Sequence, residues 1–182
     1  MQKVLVIGCP GGGKSTFARA LRDSTGLPLH YLDRIWHRPD GSNISRQAFD
    51  AQLERILHQS RWIIDGNYQR TLALRLEHCD TVFLLDYPVS VCLAGAEARI
   101  GTVREDLPWV EQGFDPEFRQ WIENFPHDQL PGSMNCWSST GRTGPSLSFI
   151  PGKRQTTGCA TGLPPWKGSK FLTFQNHKER PL

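Results

Sequence analysis

Apolar and polar positions fall into repeating blocks along the first 131 residues. Lys3-Val4-Leu5-Val6-Ile7 is a continuous apolar run of the kind buried on both faces of a parallel sheet. After a glycine-rich break, residues 14–22 take up helical spacing, with Phe17, Ala18 and Leu21 on one face. The succession then repeats. Residues 27–32 predict a second strand, and residues 45–57 a helix with Ser45 as candidate N-cap and Phe49, Leu53, Ile56 and Leu57 on one face. Residues 61–65 predict a third strand and 69–76 a short helix. Residues 81–85 predict a fourth strand, 89–99 the helix after it, and 116–125 one more helix. Four strand–helix units with short connections predict an α/β fold whose mostly parallel sheet is flanked by helices on both sides.

The break after the first strand has chemical content. It reads Gly8-Cys9-Pro10-Gly11-Gly12-Gly13-Lys14-Ser15, a complete G-x-x-x-x-G-K-[ST] pattern between a strand and a helix. The glycines let backbone N–H groups turn inward around a polyphosphate, Lys14 reaches its outer phosphates, and the Ser15 hydroxyl suits a Mg²⁺ shell. A nucleoside triphosphate is the expected ligand. No N-K-x-D guanine motif occurs, so ATP is expected over GTP.

Acidic residues at strand ends emerge at the carboxyl edge of such a sheet, where ligands bind. Asp33, Asp65 and Asp86 close the second, third and fourth predicted strands, and a carboxylate there can hold a metal-bound water or accept an acceptor's proton. Asp65 leads, because Asp65-Gly66-Asn67-Tyr68 pairs it with a permissive glycine. Asp33 follows, in a predicted loop Asp33-Arg34-Ile35-Trp36-His37 whose aromatic and basic groups suit gripping a ring.

Charge divides the chain. Of 182 residues, 1–131 carry 14 Lys/Arg against 17 Asp/Glu, whereas 132–182 carry 7 against 1. In that tail 24 of 51 residues are Gly, Pro, Ser or Thr, a composition poor at burying a core, so an order boundary is expected near Pro131-Gly132. The length fits one domain. No apolar stretch reaches the roughly 20 residues needed to cross a bilayer, and a soluble, cytoplasmic protein without membrane contact is expected. The five cysteines (9, 79, 92, 136, 159) form no C-x-x-C pair and no zinc spacing, consistent with a reducing compartment. Cys9, inside the loop and near a helix N-terminus, is a candidate for a lowered pKa, although a small loop-filling role is favoured.

Residues 8–16, Tyr31-Leu32-Asp33 with Trp36, residues 62–68, Leu84-Leu85-Asp86-Tyr87-Pro88 and residues 99–108 together resemble the adenylate-kinase-related P-loop proteins labelled DNA topology modulation proteins, over about residues 1–131. The resemblance implies a P-loop kinase fold with sheet order 2-3-1-4-5, ATP and Mg²⁺ as ligands, and a small phosphoryl acceptor such as a nucleotide or nucleoside. It implies that Gly8, Pro10, Gly11, Gly12, Gly13, Lys14, Ser15 and Thr16 cradle the phosphates, that Ser15 and Asp65 serve the metal, and that Asp33 and Asp65 face the acceptor. It also implies a lid over about residues 99–113 whose Arg99 and Arg104 meet the charge of the transferred group, completing a catalytic set of Lys14, Asp33, Asp65, Arg99 and Arg104.

Two departures stand out. Gly12 occupies a position where related proteins commonly carry Ser or Ala. After Pro131 the helix, fifth strand and last helix of such folds are not legible, so the fifth strand is expected to be missing or altered, the adenine side incomplete and activity impaired; a frame slip in the coding sequence would account for this. Alternative readings are an ATP-dependent regulatory protein whose basic tail binds nucleic acid, which is not favoured, and a basal NTPase switch. The oligomeric state stays open.

Overall fold

The computed structural model describes residues 1–139, 146–151 and 172–173. The first apolar run is β1 (Lys3–Gly8), and the helix after the glycine-rich break is α1 (Lys14–Thr25). There follow β2 (Leu29–Tyr31), α2 (Leu32–Trp36), α3 (Arg46–Leu57) and β3 (Trp62–Asp65). A 3₁₀ turn (Gln69–Thr71) runs into α4 (Leu72–His78), then come β4 (Thr81–Asp86), α5 (Val89–Glu97), α6 (Pro116–Asp128), α7 (Leu130–Ser139), β5 (Ser146–Pro151) and the two-residue β6 (Leu172–Thr173).

The sheet order is β2-β3-β1-β4-β5-β6, parallel throughout except for β6, which runs antiparallel to β5. Its first five strands stand in the order 2-3-1-4-5. This is the order that the sequence resemblance implies, with β1 central and the glycine-rich loop at its carboxyl end.

The unbroken apolar runs are explained by burial on two faces. Leu5, Ile7, Ile64, Val82 and Leu84 point to one side, against Phe49, Leu53, Ile56 and Leu57 of α3 and Leu72 and Leu76 of α4. Val4, Val6, Ile63, Phe83 and Leu85 point to the other, against Phe17 and Ala18 of α1, where the Phe17 and Phe83 rings meet edge-on at 4.9 Å. Burying each such side chain contributes about 1.5–3 kcal/mol, so both helix layers are held by the strand pattern itself. Ser45 caps α3, its hydroxyl accepting from Ala48 N at 3.1 Å.

Two expectations need correction. Residues 32–36 form α2 rather than a loop, so Asp33 lies in the first turn of a helix and does not close β2. A five-residue helix is too short to leave a periodic signal. The fifth strand is also present: β5 pairs with β4 from Thr81↔Ser146 to Asp86↔Pro151. Composition hid it, because Ser146-Leu147-Ser148-Phe149-Ile150 alternates polar and apolar for too few residues to stand out among prolines and glycines, while the parallel edge of β4 supplies the backbone partners that fix it.

Helix α7 runs through Pro131-Gly132, and its Met134, Cys136 and Trp137 pack on the core beside α3 and α4. The Gln69 side chain ties α7 to the 3₁₀ turn by donating to Gln129 O at 2.8 Å and Ser133 Oγ at 2.6 Å. The expected lack of order in the rest of the tail, and Cys159, lie outside the described residues.

Candidate functional site

The phosphate loop is held from below and from the side. Gly12 N donates to Cys9 O at 3.2 Å, and Gly13, at φ 81°, caps α1. A Cβ on Gly11, at φ 76°, would sit 1.9 Å from Cys92 O, and one on Gly95 of α5 would sit 2.2 Å from Gly11 O. Loop and helix therefore touch backbone to backbone, which only glycine permits at either position. Gly95 carried no sequence signal. Gly8, Pro10 and Gly12 are buried, whereas Thr16 is exposed and accepts from Arg19 Nη2 at 3.2 Å. Lys14 Nζ donates to Cys9 O at 3.1 Å, and burial lowers its pKa from the ordinary lysine value.

Cys9 fits the favoured loop-filling role and not the lowered thiol pKa. It is buried, and a hydrogen bond with Cys92, then burial, pushes its thiol up.

Asp65, the last residue of β3, is 5% exposed, and its Oδ1 has no hydrogen-bond partner among the described residues. Burial pushes its carboxyl up to about 6, although Lys14 and the Ser15 hydroxyl pull it back down. Two side chains that sequence reasoning missed set the loop behind it. Asn67 Oδ1 accepts from Gly8 N at 3.0 Å while its Nδ2 donates to Gly8 O at 2.9 Å, joining the β3 loop to the phosphate loop. Arg75 of α4, fully buried, donates to the carbonyls of Gly66 at 2.8 Å, Tyr68 at 3.0 Å, Thr71 at 3.4 Å and Asn67. Burial lowers its guanidinium to about 10.

Tyr68 is the one non-glycine residue with positive φ, 37°, among the described residues. Its ring stacks on Phe49 at 5.1 Å and lies 6.4 Å from Trp36, and its hydroxyl donates to Asp33 Oδ1 at 2.9 Å. Asp33 thus sits at the rim of an aromatic cluster built from α2, α3 and the β3 loop. His37 meets Trp109 edge-on at 4.9 Å, linking this side to the segment between α5 and α6.

That segment carries the two expected lid arginines, and carboxylates hold both. Arg99 Nε lies 3.0 Å from Glu111 Oε2, with its guanidinium 5.4 Å from the centre of the Phe118 ring. Arg104 Nη1 donates to the same Glu111 oxygen at 2.7 Å, its Nε to Asp106 Oδ1 at 3.2 Å, and its Nη2 to Asp106 Oδ2. Asp106, 3% exposed, also accepts from Ser15 Oγ at 3.0 Å, and Arg19 Nη1 stands 4.0 Å from its Oδ1. Burial works to raise the Asp106 carboxyl, but the Arg104 and Ser15 hydrogen bonds outweigh it and hold it below the ordinary carboxylate range. Asp106 and Glu111 gave no signal in the sequence.

Lys14, Ser15, Asp65 and, through Asp106, Arg104 thus converge on the carboxyl end of β1, with Asp33 beside them on the aromatic side. The set suits a polyphosphate and a divalent cation. It offers a glycine cradle that side chains would fill, two cationic groups in Lys14 and Arg104, a hydroxyl, and a buried carboxylate oxygen without a partner. Among the described residues no cluster of three or more His, Cys, Asp or Glu side chains is arranged to hold a metal by itself, and no helix is long and apolar enough to cross a membrane.

No protein-family model matches the chain, and no curated protein matches it. Solved structures do. A shikimate kinase from Aquifex aeolicus vf5 aligns at 16% identity over 84% of this chain and 87% of its own, with a TM-score of 0.48. A gluconokinase from Sinorhizobium meliloti 1021 aligns at 16% identity over 82% of each chain, TM-score 0.46. A sugar kinase from Janibacter sp. HTCC2649 aligns at 17% over 73% of this chain and 98% of its own, TM-score 0.40.

Proposed function

We propose that the protein is an adenylate-kinase-like phosphotransferase that moves the γ-phosphoryl of ATP to a hydroxyl or phosphate oxygen of a small acceptor, a nucleotide or nucleoside being the first class to try. The observation that carries this reading is the buried Asp65 carboxylate, with one oxygen unpartnered, facing Lys14 and Ser15 at the mouth of a complete phosphate loop. Lys14 and the loop amides of residues 8–16 bind the phosphates. Ser15 and Asp65 would hold a Mg²⁺ ion, which would supply charge neutralisation at the phosphate oxygens. Asp33, steadied by the Tyr68 hydroxyl, orients the acceptor and takes the proton of a hydroxyl acceptor as the new P–O bond forms and ADP leaves. Arg99 and Arg104 meet the charge spread over the transferred group.

The test follows label from γ-phosphate-labelled ATP into a panel of nucleosides, nucleoside monophosphates and sugars. Transfer to one acceptor, reduced at least about a hundredfold in Lys14→Ala, is the expected result. Release of inorganic phosphate alone would overturn the transferase reading in favour of a hydrolytic switch.

A further inference from the structure

An anion already engages the groups that a triphosphate needs. Asp106 accepts from the Ser15 hydroxyl at 3.0 Å, pairs with Arg104 through two nitrogens, and stands 4.0 Å from Arg19. Glu111 pairs with Arg99 at 3.0 Å and with Arg104 at 2.7 Å. Glu105, one residue before Asp106, is fastened to α1 through Arg22 at 2.6 Å, and its carbonyl accepts from Arg34 at 3.3 Å. Gly101 N donates to Glu111 O at 2.8 Å, closing the segment on itself. Carboxylates of the segment between α5 and α6 thus already engage the Ser15 hydroxyl and Arg104.

We infer that Asp106, supported by Glu111, is an internal competitor of the ATP phosphates: a latch that ties the lid to the loop and must give up Ser15 and Arg104 before nucleotide and metal can take them. The inference rests on the ATP-binding reading above. Arg104 cannot keep the Asp106 carboxylate on its Nε/Nη2 fork and offer the same fork to a phosphoryl group, and Ser15 has one hydroxyl proton to give. The geometry therefore makes binding an exchange of partners. The exchange weakens ATP binding, keeps the buried Asp106 and the half-buried Glu111, Arg99 and Arg104 paired with one another until it occurs, and frees the lid arginines only when a stronger, more highly charged anion arrives. A carboxylate with only a structural role would lower affinity when removed; a latch raises it.

The experiment measures ATP and inorganic tripolyphosphate binding by titration calorimetry, with Mg²⁺, for the full chain and for Asp106→Asn and Glu111→Gln. Lys14→Ala serves as the control for the loop. Release of one charge-assisted hydrogen bond is expected to tighten ATP about tenfold in Asp106→Asn, and tripolyphosphate by a similar factor, with a smaller gain in Glu111→Gln. The unaltered protein supplies a second reading that needs no variant to fold. In stopped-flow tryptophan fluorescence its observed binding rate levels off at high ATP, because opening of the latch becomes limiting. Unchanged or weaker binding in Asp106→Asn, or a rate that keeps rising linearly with ATP, overturns the latch while leaving the phosphotransferase reading in place. If no form of the protein binds ATP or tripolyphosphate, the phosphotransferase reading falls and the latch falls with it.

Discussion

At the scale of single residues, the buried Asp65 carboxylate is held at a cost to folding. Its folded carboxyl keeps a proton up to about 6, whereas an unfolded one releases it near 3.8, so stability falls as pH rises between those values. The full shift corresponds to about 3 kcal/mol. Asp65→Asn is accordingly expected to raise stability at pH 7.5 by up to about 3 kcal/mol in Mg²⁺-free buffer, and to flatten the pH dependence between 4 and 6. Thermal and urea unfolding across that range would show it, and an unchanged slope would locate the titration elsewhere. The phosphate loop was legible because its eight residues are contiguous and each type has a local backbone or charge role. Asp106 and Asn67 were not. Their bonds to Ser15 and Gly8 span 91 and 59 residues, and a lone Asp or Asn in a loop looks like any solvated loop residue.

Elements obey the same division. Helices α1 and α3 showed in the sequence because each lays an apolar face on the sheet over three turns, and β1, β3 and β4 because they are buried on both faces. Helix α4 was foreseen as a helix, but not as the carrier of Arg75, since a single Arg on a short helix reads as surface. Arg75→Ala is expected to destabilise the fold by about 3 kcal/mol or more, because the buried carbonyls of Gly66, Asn67 and Tyr68 lose their donors together. Arg75→Lys would recover little of this, one ammonium being unable to span the fan that the guanidinium serves. Urea denaturation of both variants decides it. On α5, Gly95→Ala is expected to leave helix content unchanged by circular dichroism while weakening ATP binding, since the new methyl meets Gly11 O.

For the whole molecule, the tail is where composition misled. Counting Gly, Pro, Ser and Thr placed the end of order at Pro131-Gly132, yet α7 crosses that point and β5 pairs with β4 over six residues. Composition measures how much core a segment can bury alone; it does not register that a parallel edge is waiting for a partner. Removing residues 140–182 is therefore expected to expose the β4 edge, lower the unfolding midpoint and promote association, measurable by size-exclusion chromatography with light scattering. A monomer of unchanged stability would mean that β5 contributes nothing to the sheet.

The paired amide bonds between Asn67 and Gly8 bear on how the proposed phosphotransferase could be recombined. One side chain fixes the strand that presents Asp65 to the strand that presents the glycine-rich loop, so those two segments are held as one unit, whereas α2 and α3 bring the aromatic rim to it from outside. Chimeras that exchange residues 37–57 and keep Asn67 would change the partner molecule while leaving the grip on nucleotide intact.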